Sequence, residues 1–576
     1  MRSGLSERVR IVEAFFASCV VIAISACGGG SGGGGTPPPP QSFSVTVAAV
    51  GAGGSISPSS ATVTAGGSAS FILTPSAGYA IGAVTGCGGT LSGNTFATAA
   101  IQGDCTVSAG FAALGPIWKG GFDSINHAGS YGTQGQPAAS NMPGERSFAV
   151  SWVDAGGNLW LFGGYGSDST AAIGNLNDLW KYTSVSGEWT WVGGPNIANS
   201  TGVYGTLGHA AAANVPGARQ GAIAWTDANG NFWLFGGYGY GATLPGYGSL
   251  ADLWEYSPST SQWSWQGGST AIADPANAVG VYGTLGVAAA TNFPGARESA
   301  VSWTDASGNF WLFGGFGYDS LGVYGDLNDL WEYAPSSEEW TWKGGCNIAA
   351  CVGLFGTPGQ TAPAYRPGAR DSAVAWKDDN GNFWLFGGSG VDSHDISGTM
   401  NDLWKYSLTS GEWSLESGSQ TFVTQTPGQA GVYGTRGVAA ATNVPGSRFN
   451  GAVWVDASGN FWLFGGFGYD STPSSNNPSL GDLNDLWTYN PSTREWAWEG
   501  GSDTIDAVGV YGTSGQPAAA NVPGSRAGSL FWTDANGNFW LFGGNGFDSA
   551  GLEGALDDLW WIQASSAGSC SGFGCR

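Results

Sequence analysis

Charge is what this 576-residue chain has least of: charged residues make up 10% of it, against about 25% in ordinary domains. Basic residues are the scarcest, with 18 Lys and Arg against 42 Asp and Glu, for a formal net charge of −24. Phosphate backbones are held by clustered Lys and Arg, so this balance argues against a nucleic-acid partner. An anionic membrane surface would repel the chain for the same reason. Histidine is nearly absent, with only His127, His209 and His394. That starves any zinc site, which needs four Cys or His ligands from one neighbourhood. Nucleophile elbows and phosphate-cradling loops are also missing.

Glycine and aromatic residues fill the space: 101 Gly, 29 Trp, 28 Phe and 19 Tyr. Disordered chains lack aromatics, so this is a folded composition of short strands and tight turns. The length calls for two or more domains. Arg2, Arg8 and Arg10 precede an apolar run from Ala14 to Ala26, too short to span a bilayer comfortably. The run ends Ile24-Ser25-Ala26-Cys27, which resembles a bacterial lipobox. That resemblance implies a signal peptide over 1–26 and a lipid on Cys27. Residues 27–41, mostly Gly and Pro, read as a tether. Outside the signal and the anchor, the cysteines fall as neighbours: Cys87 with Cys105, Cys346 with Cys351, Cys570 with Cys575. Three disulfides in an oxidising compartment are expected.

Residues 42–113 alternate apolar and small polar residues between Gly and Pro turns, giving a small β domain of roughly six strands. The stretch from Gly53 to Phe111 resembles the internalin-type B-repeat of bacterial surface proteins, which implies a spacer or adhesive stalk. From 114 to 563 the chain repeats itself. Phe-Gly-Gly recurs at Phe162, Phe235, Phe313, Phe386, Phe464 and Phe542, at spacings of 73, 78, 73, 78 and 78 residues. Each unit has four strand-like segments: an apolar run after Pro-Gly-x-Arg, then Gly-Asn-Phe-Trp-Leu-Phe-Gly-Gly or a close variant, then Asp-Leu-Trp, then Trp-x-Trp or close to it. The second is apolar at consecutive positions, as a strand buried on both faces would be. The diglycine, the downstream Trp and the four-strand unit resemble the Kelch repeat over residues 118–562. The resemblance implies an all-β protein, a six-bladed Kelch-type β-propeller behind the small N-terminal β domain, with 564–576 as a tail. These units exceed the ~50 residues of a Kelch repeat. The sixth unit lacks its Trp-x-Trp strand, and Ile117-Trp118-Lys119-Gly120-Gly121 supplies one at the other end. Ring closure through that segment follows.

Features shared by every unit read as scaffold. The Asp before each Gly-Asn, from Asp154 to Asp534, suits a hairpin turn better than a calcium loop. An Arg opens each first strand and an Asp precedes each Leu-Trp, which predicts a buried ion pair per unit. The galactose-oxidase branch of the Kelch propellers needs two His, two Tyr and a Cys joined to a Tyr, and the scattered histidines do not fit it. No catalytic set, metal or cofactor is read from the sequence, and binding is expected more than catalysis. The long loop between the fourth strand and the next first strand repeats closely, so it reads as self-packed. Strand order puts it on one face with the variable loop between strands two and three. That face offers Tyr240, Tyr318, Asp319, Asp392, Tyr469, Asp470, Phe547 and Asp548 as candidate ligand-binding residues. Rings beside carboxylates suit a glycan or a peptide. The expected molecule is an extracytoplasmic, monomeric binding or adhesion lipoprotein at the outer membrane or cell surface. The alternatives are a carbohydrate-active enzyme on the same face or a structural surface component.

Overall fold

The computed structural model describes residues 40–48, 53–75, 79–113, 115–243, 246–272, 278–420, 428–472, 480–534 and 537–562. Cys27, the leader, the tether up to residue 39 and the Cys570/Cys575 pair lie outside them. Every regular element described is a strand.

Residues 42–113 form eight strands, not six, in two four-stranded sheets. The difference comes from short hairpin strands, Thr90–Ser92 and Thr95–Ala97, inside a segment that reads as loop. Phe71, Leu73, Phe96, Val45 and Val107 fill the space between the sheets, and a disulfide joins Cys87 to Cys105.

The rest is a β-propeller. Six sheet units follow one another, each with its innermost strand first: Val150–Val153, Ile223–Thr226, Val301–Thr304, Val374–Lys377, Ala452–Val455 and Leu530–Thr533. These six strands touch in cyclic order, and the last touches the first. In unit 3, Phe310–Tyr318 pairs with the inner strand, Tyr324–Ala334 with that, and Glu339–Gly344 lies outermost. The second strands are buried along both faces, as at Phe232–Phe235. The Trp of each inner strand stacks on the Phe opening the next unit's second strand, Trp303 on Phe383 at 4.9 Å and 10° for example. Only where unit 6 meets unit 1 does the Trp, Trp532, meet an aliphatic residue, Leu159.

The diglycine is a backbone requirement. Gly314 and Gly315 have φ of +67° and +91°, and a Cβ on Gly314 would stand 2.7 Å from the Arg370 carbonyl oxygen. There the second strand bulges and the neighbouring unit presses in.

Closure is as the sequence predicts. Ile117–Gly120 pairs antiparallel with Glu553–Ile562, setting Trp118 opposite Trp560. The long loops are self-packed: Val203 bridges Val215, Ala211 bridges Trp263, and the Asn214 amide donates to the carbonyls of His209 and Trp263.

Candidate functional site

The predicted ion pairs exist in all six units. Arg297 reaches Asp329 through two parallel hydrogen bonds of 2.6 and 2.7 Å, both residues being fully buried. The same carboxylate accepts from the Tyr282 hydroxyl at 2.6 Å and the Trp331 indole at 2.8 Å. Unit 4 departs from the pattern, since Phe355 stands where the others place this tyrosine and meets the Trp404 ring at 5.0 Å, tilted by 55°. Six of the 18 basic residues are thereby buried in scaffold. The turn aspartates also act structurally: Asp154 accepts from the backbone of Gly156 and Asn158 and from the Trp160 indole.

The candidate carboxylates of the variable loops are turned inward. Asp319, Asp392, Asp470 and Asp548 are at most 3% exposed. Asp319 accepts from the N–H groups of Leu321 and Val323 in its own loop and of Ala349 in the neighbouring long loop. Asp470 accepts likewise from Thr472 and Ile505, Asp392 from His394 and Ile396, and Asp548 from Ala550 and Leu552. The contacts of Asp319 and Asp470 place the two loops on one face, as strand order requires. Of the candidate rings, Tyr469 is buried and Phe547 half-buried in other units, while Tyr240 and Tyr318 belong to one cluster. Tyr318 lies 4.7 Å from Tyr324, Tyr240 lies 5.9 Å from Tyr247, and Tyr247 in turn lies 5.5 Å from Tyr238. Tyr247 and Tyr324 are exposed.

On this face the central tunnel opens through a mouth built from backbone. Phe148, Gly221, Ser299, Ser372, Asn450 and Gly528, one from each unit, all have φ between +55° and +66°. Each N–H donates to the carbonyl of the corresponding residue in the preceding unit: Gly221 to Phe148, Ser299 to Gly221, Ser372 to Ser299, Asn450 to Ser372, Gly528 to Asn450, and Phe148 to Gly528. The six bonds, 2.8–3.0 Å long, close a circle. At this mouth lies a cavity of about 370 Å³ walled mostly by Ala, Val, Ser and Gly, with Ile223 and Phe531 among them.

The mouth is regular in backbone and lopsided in side chains. Phe148 sits between two glycines, and its ring occupies the space a Cβ on Gly528 would take. The other side carries Ser299, Ser372 and Asn450. Glu298 adjoins it, its Cβ 3.5 Å from where a Cβ on Gly221 would be. Tyr324 donates to Glu298 at 3.3 Å and also meets the Ser249 hydroxyl at 2.9 Å. Burial pushes the Glu298 carboxyl up to about 7, with the Asp371 charge adding to the rise. Burial also raises Asp326, to about 8, helped by Asp371 facing it from the next unit, and it raises Asp371 too. Glu298 and Asp326 thereby straddle neutral pH, able to donate or accept a proton.

Phe148, Glu298, Tyr324, Asp326 and Asp371 were not among the residues singled out from the sequence. A signal for two of them was present. The position after the scaffold arginine reads Ser147, Gln220, Glu298, Asp371, Phe449 and Ala527. It changes in every unit while the arginine before it does not, which marks a place not fixed by packing.

No family model matches the chain, and no curated protein matches it. Among solved structures it is similar to YjhT, at 13% sequence identity and a TM-score of 0.43, over 74% of this chain and 97% of that one. The propeller stands on the pairings described above.

Proposed function

We propose that this chain is an extracytoplasmic, lipid-anchored binding protein that takes a neutral glycan at the tunnel mouth of a six-bladed Kelch-type propeller. The observation that carries this is the lopsided mouth: one aromatic ring, Phe148, opposite Ser299, Ser372 and Asn450, with Glu298 and a tyrosine cluster alongside. A sugar ring has an apolar C–H face that stacks on an aromatic ring and hydroxyls that need both donors and acceptors. Seryl hydroxyls, an amide and a carboxyl near its titration point supply both. The net charge of −24 opposes a polyanionic ligand. Export is supported by the Cys27 lipobox and by the disulfides that join Cys87 to Cys105 and Cys346 to Cys351, since such bonds persist in oxidising compartments. Tyr240 and Tyr318 extend the site outward along the rim, and the protein works as a monomer.

The test is a glycan array with the full chain, followed by calorimetry on any hit. Phe148→Ala and Glu298→Gln should each weaken binding about tenfold or more, the equivalent of roughly 1.4 kcal/mol. Tyr318→Ala should weaken it less. Binding untouched by both mouth variants would refute the site. The facing carboxyls of Asp326 and Asp371 favour a second reading, an acid–base pair cleaving the bound glycan. Release of reducing ends, lost in Asp371→Asn, would establish it.

A further inference from the structure

We propose that Asp557 is a proton-dependent latch on the seam that closes the ring, donating its carboxyl proton to the Pro143 carbonyl of unit 1. The argument begins with the residue before the scaffold aspartate in each third strand. It is Asn177, Asn328, Asn401 and Asn484 in units 1, 3, 4 and 5, Ala251 in unit 2 and Asp557 in unit 6. Each of the four asparagine amides donates to a proline carbonyl of the next unit: Pro216, Pro367, Pro445 and Pro523. The Oδ1 atoms of Asn328, Asn401 and Asn484 accept a backbone N–H from the loop leaving their own fourth strand. Unit 2 dispenses with the polar pair, and Phe293 packs on Ala251 instead.

In unit 6 the Asp557 Oδ1 keeps the accepting role, receiving the Phe122 N–H at 3.0 Å. Its Oδ2 stands where the other units have a donor, and it is buried without a hydrogen-bond partner. By the repeat, the group opposite is the Pro143 carbonyl, which only accepts. An ionised carboxylate would set two acceptors face to face in a site with no exposure to water. A protonated carboxyl reproduces the asparagine bond.

The charges around it favour the neutral form. Asp558 and Glu145 act on Asp557 and are both negative. Asp558 is bonded to Arg526, and the neighbouring Arg146 is bonded to Asp178. Glu145 accepts from the Ser167 hydroxyl and the His127 N–H. Lys119, on the closing strand, lies over the Trp561 ring. Burial pushes the Asp557 carboxyl up to about 8. The folded chain therefore binds more protons here than the unfolded chain between the ordinary carboxylate range and about pH 8. Stability from this group falls as pH rises through that window and levels off above it.

The test compares the melting temperature of the full chain with that of Asp557→Asn from pH 5 to pH 8.5. Asparagine supplies the donor permanently, so the variant should gain on the parent as pH rises, with the gap widest at pH 8 and above. Asp557→Ala, which copies unit 2, should show the same trend from a lower baseline and stands in should the first variant fail to fold. Infrared difference spectra at pH 7 should show the carbonyl stretch of a protonated carboxyl that Asp557→Asn removes. A gap equal at both ends of the range, or a missing protonated-carboxyl band, would overturn the latch.

Discussion

Replacing Asp329 by asparagine tests whether the buried pairs hold the units together. The change keeps the side chain's shape and removes the charge that Arg297 faces at 2.6 and 2.7 Å. Arg297 is fully buried, so its cation has no recourse to water. Breaking a buried pair by removing one partner costs about 3–5 kcal/mol. The Tyr282 hydroxyl and the Trp331 indole share that carboxylate, and an amide leaves them at most a poorer acceptor. The cost therefore belongs at the upper end of that range. The double variant Arg297→Met/Asp329→Leu removes both charges and should recover at least half of the loss. Two controls come from the repeat itself. Tyr282→Phe removes one hydrogen bond and should cost about 1 kcal/mol. Phe355→Tyr adds the bond that unit 4 lacks and should gain up to about the same. Urea denaturation followed by tryptophan fluorescence gives all four numbers. A cost under about 1 kcal/mol for Asp329→Asn, or a double variant worse than the single, would show that the pair is not what stabilises the unit.

Starting the chain at residue 122 removes the closing strand, and the propeller's melting transition should drop and broaden; an unchanged melt by calorimetry would disprove closure through Trp118. Asp319→Ala deprives three N–H groups of their acceptor and should cost about 1–3 kcal/mol while loosening both loops of unit 3, read by amide exchange. Because Glu298 titrates near 7, glycan affinity should change across pH 6–8 in the parent and stay level in Glu298→Gln. The raised Glu298 value also means that stability falls as pH climbs from about 4 to about 7, a slope that variant should lessen.

The architecture was legible because it rests on repetition. Phe-Gly-Gly, Asp-Leu-Trp and Trp-x-Trp recur in fixed order, and the sixth unit's missing strand pointed directly to Trp118. The site was less legible, for a physical reason. Asp319 and Asp470 look like exposed ligands in a variable loop, yet a loop that turns back on itself needs acceptors for its N–H groups, and a short carboxylate fills that need best. Glu298 and Asp371 were overlooked because each follows a scaffold arginine and reads as part of the strand. Their meeting with Tyr324 and Asp326 depends on how neighbouring sheets abut, which one strand's pattern does not encode.

Closure through Ile117–Gly120 has a consequence in time. Phe122 and Asp557 bond across 435 residues, so the sheet that completes the ring cannot form until all six units between them have been made. Contacts so distant in sequence are slow to find. Until then unit 1 and unit 5 each present an unmatched flank, with tryptophans uncovered and strand edges unpaired. A ribosome that stalls in the last unit, or a protease that clips it, leaves an open arc of sheets. Completion of the ring is thus reported by one event, the arrival of Trp560 beside Trp118.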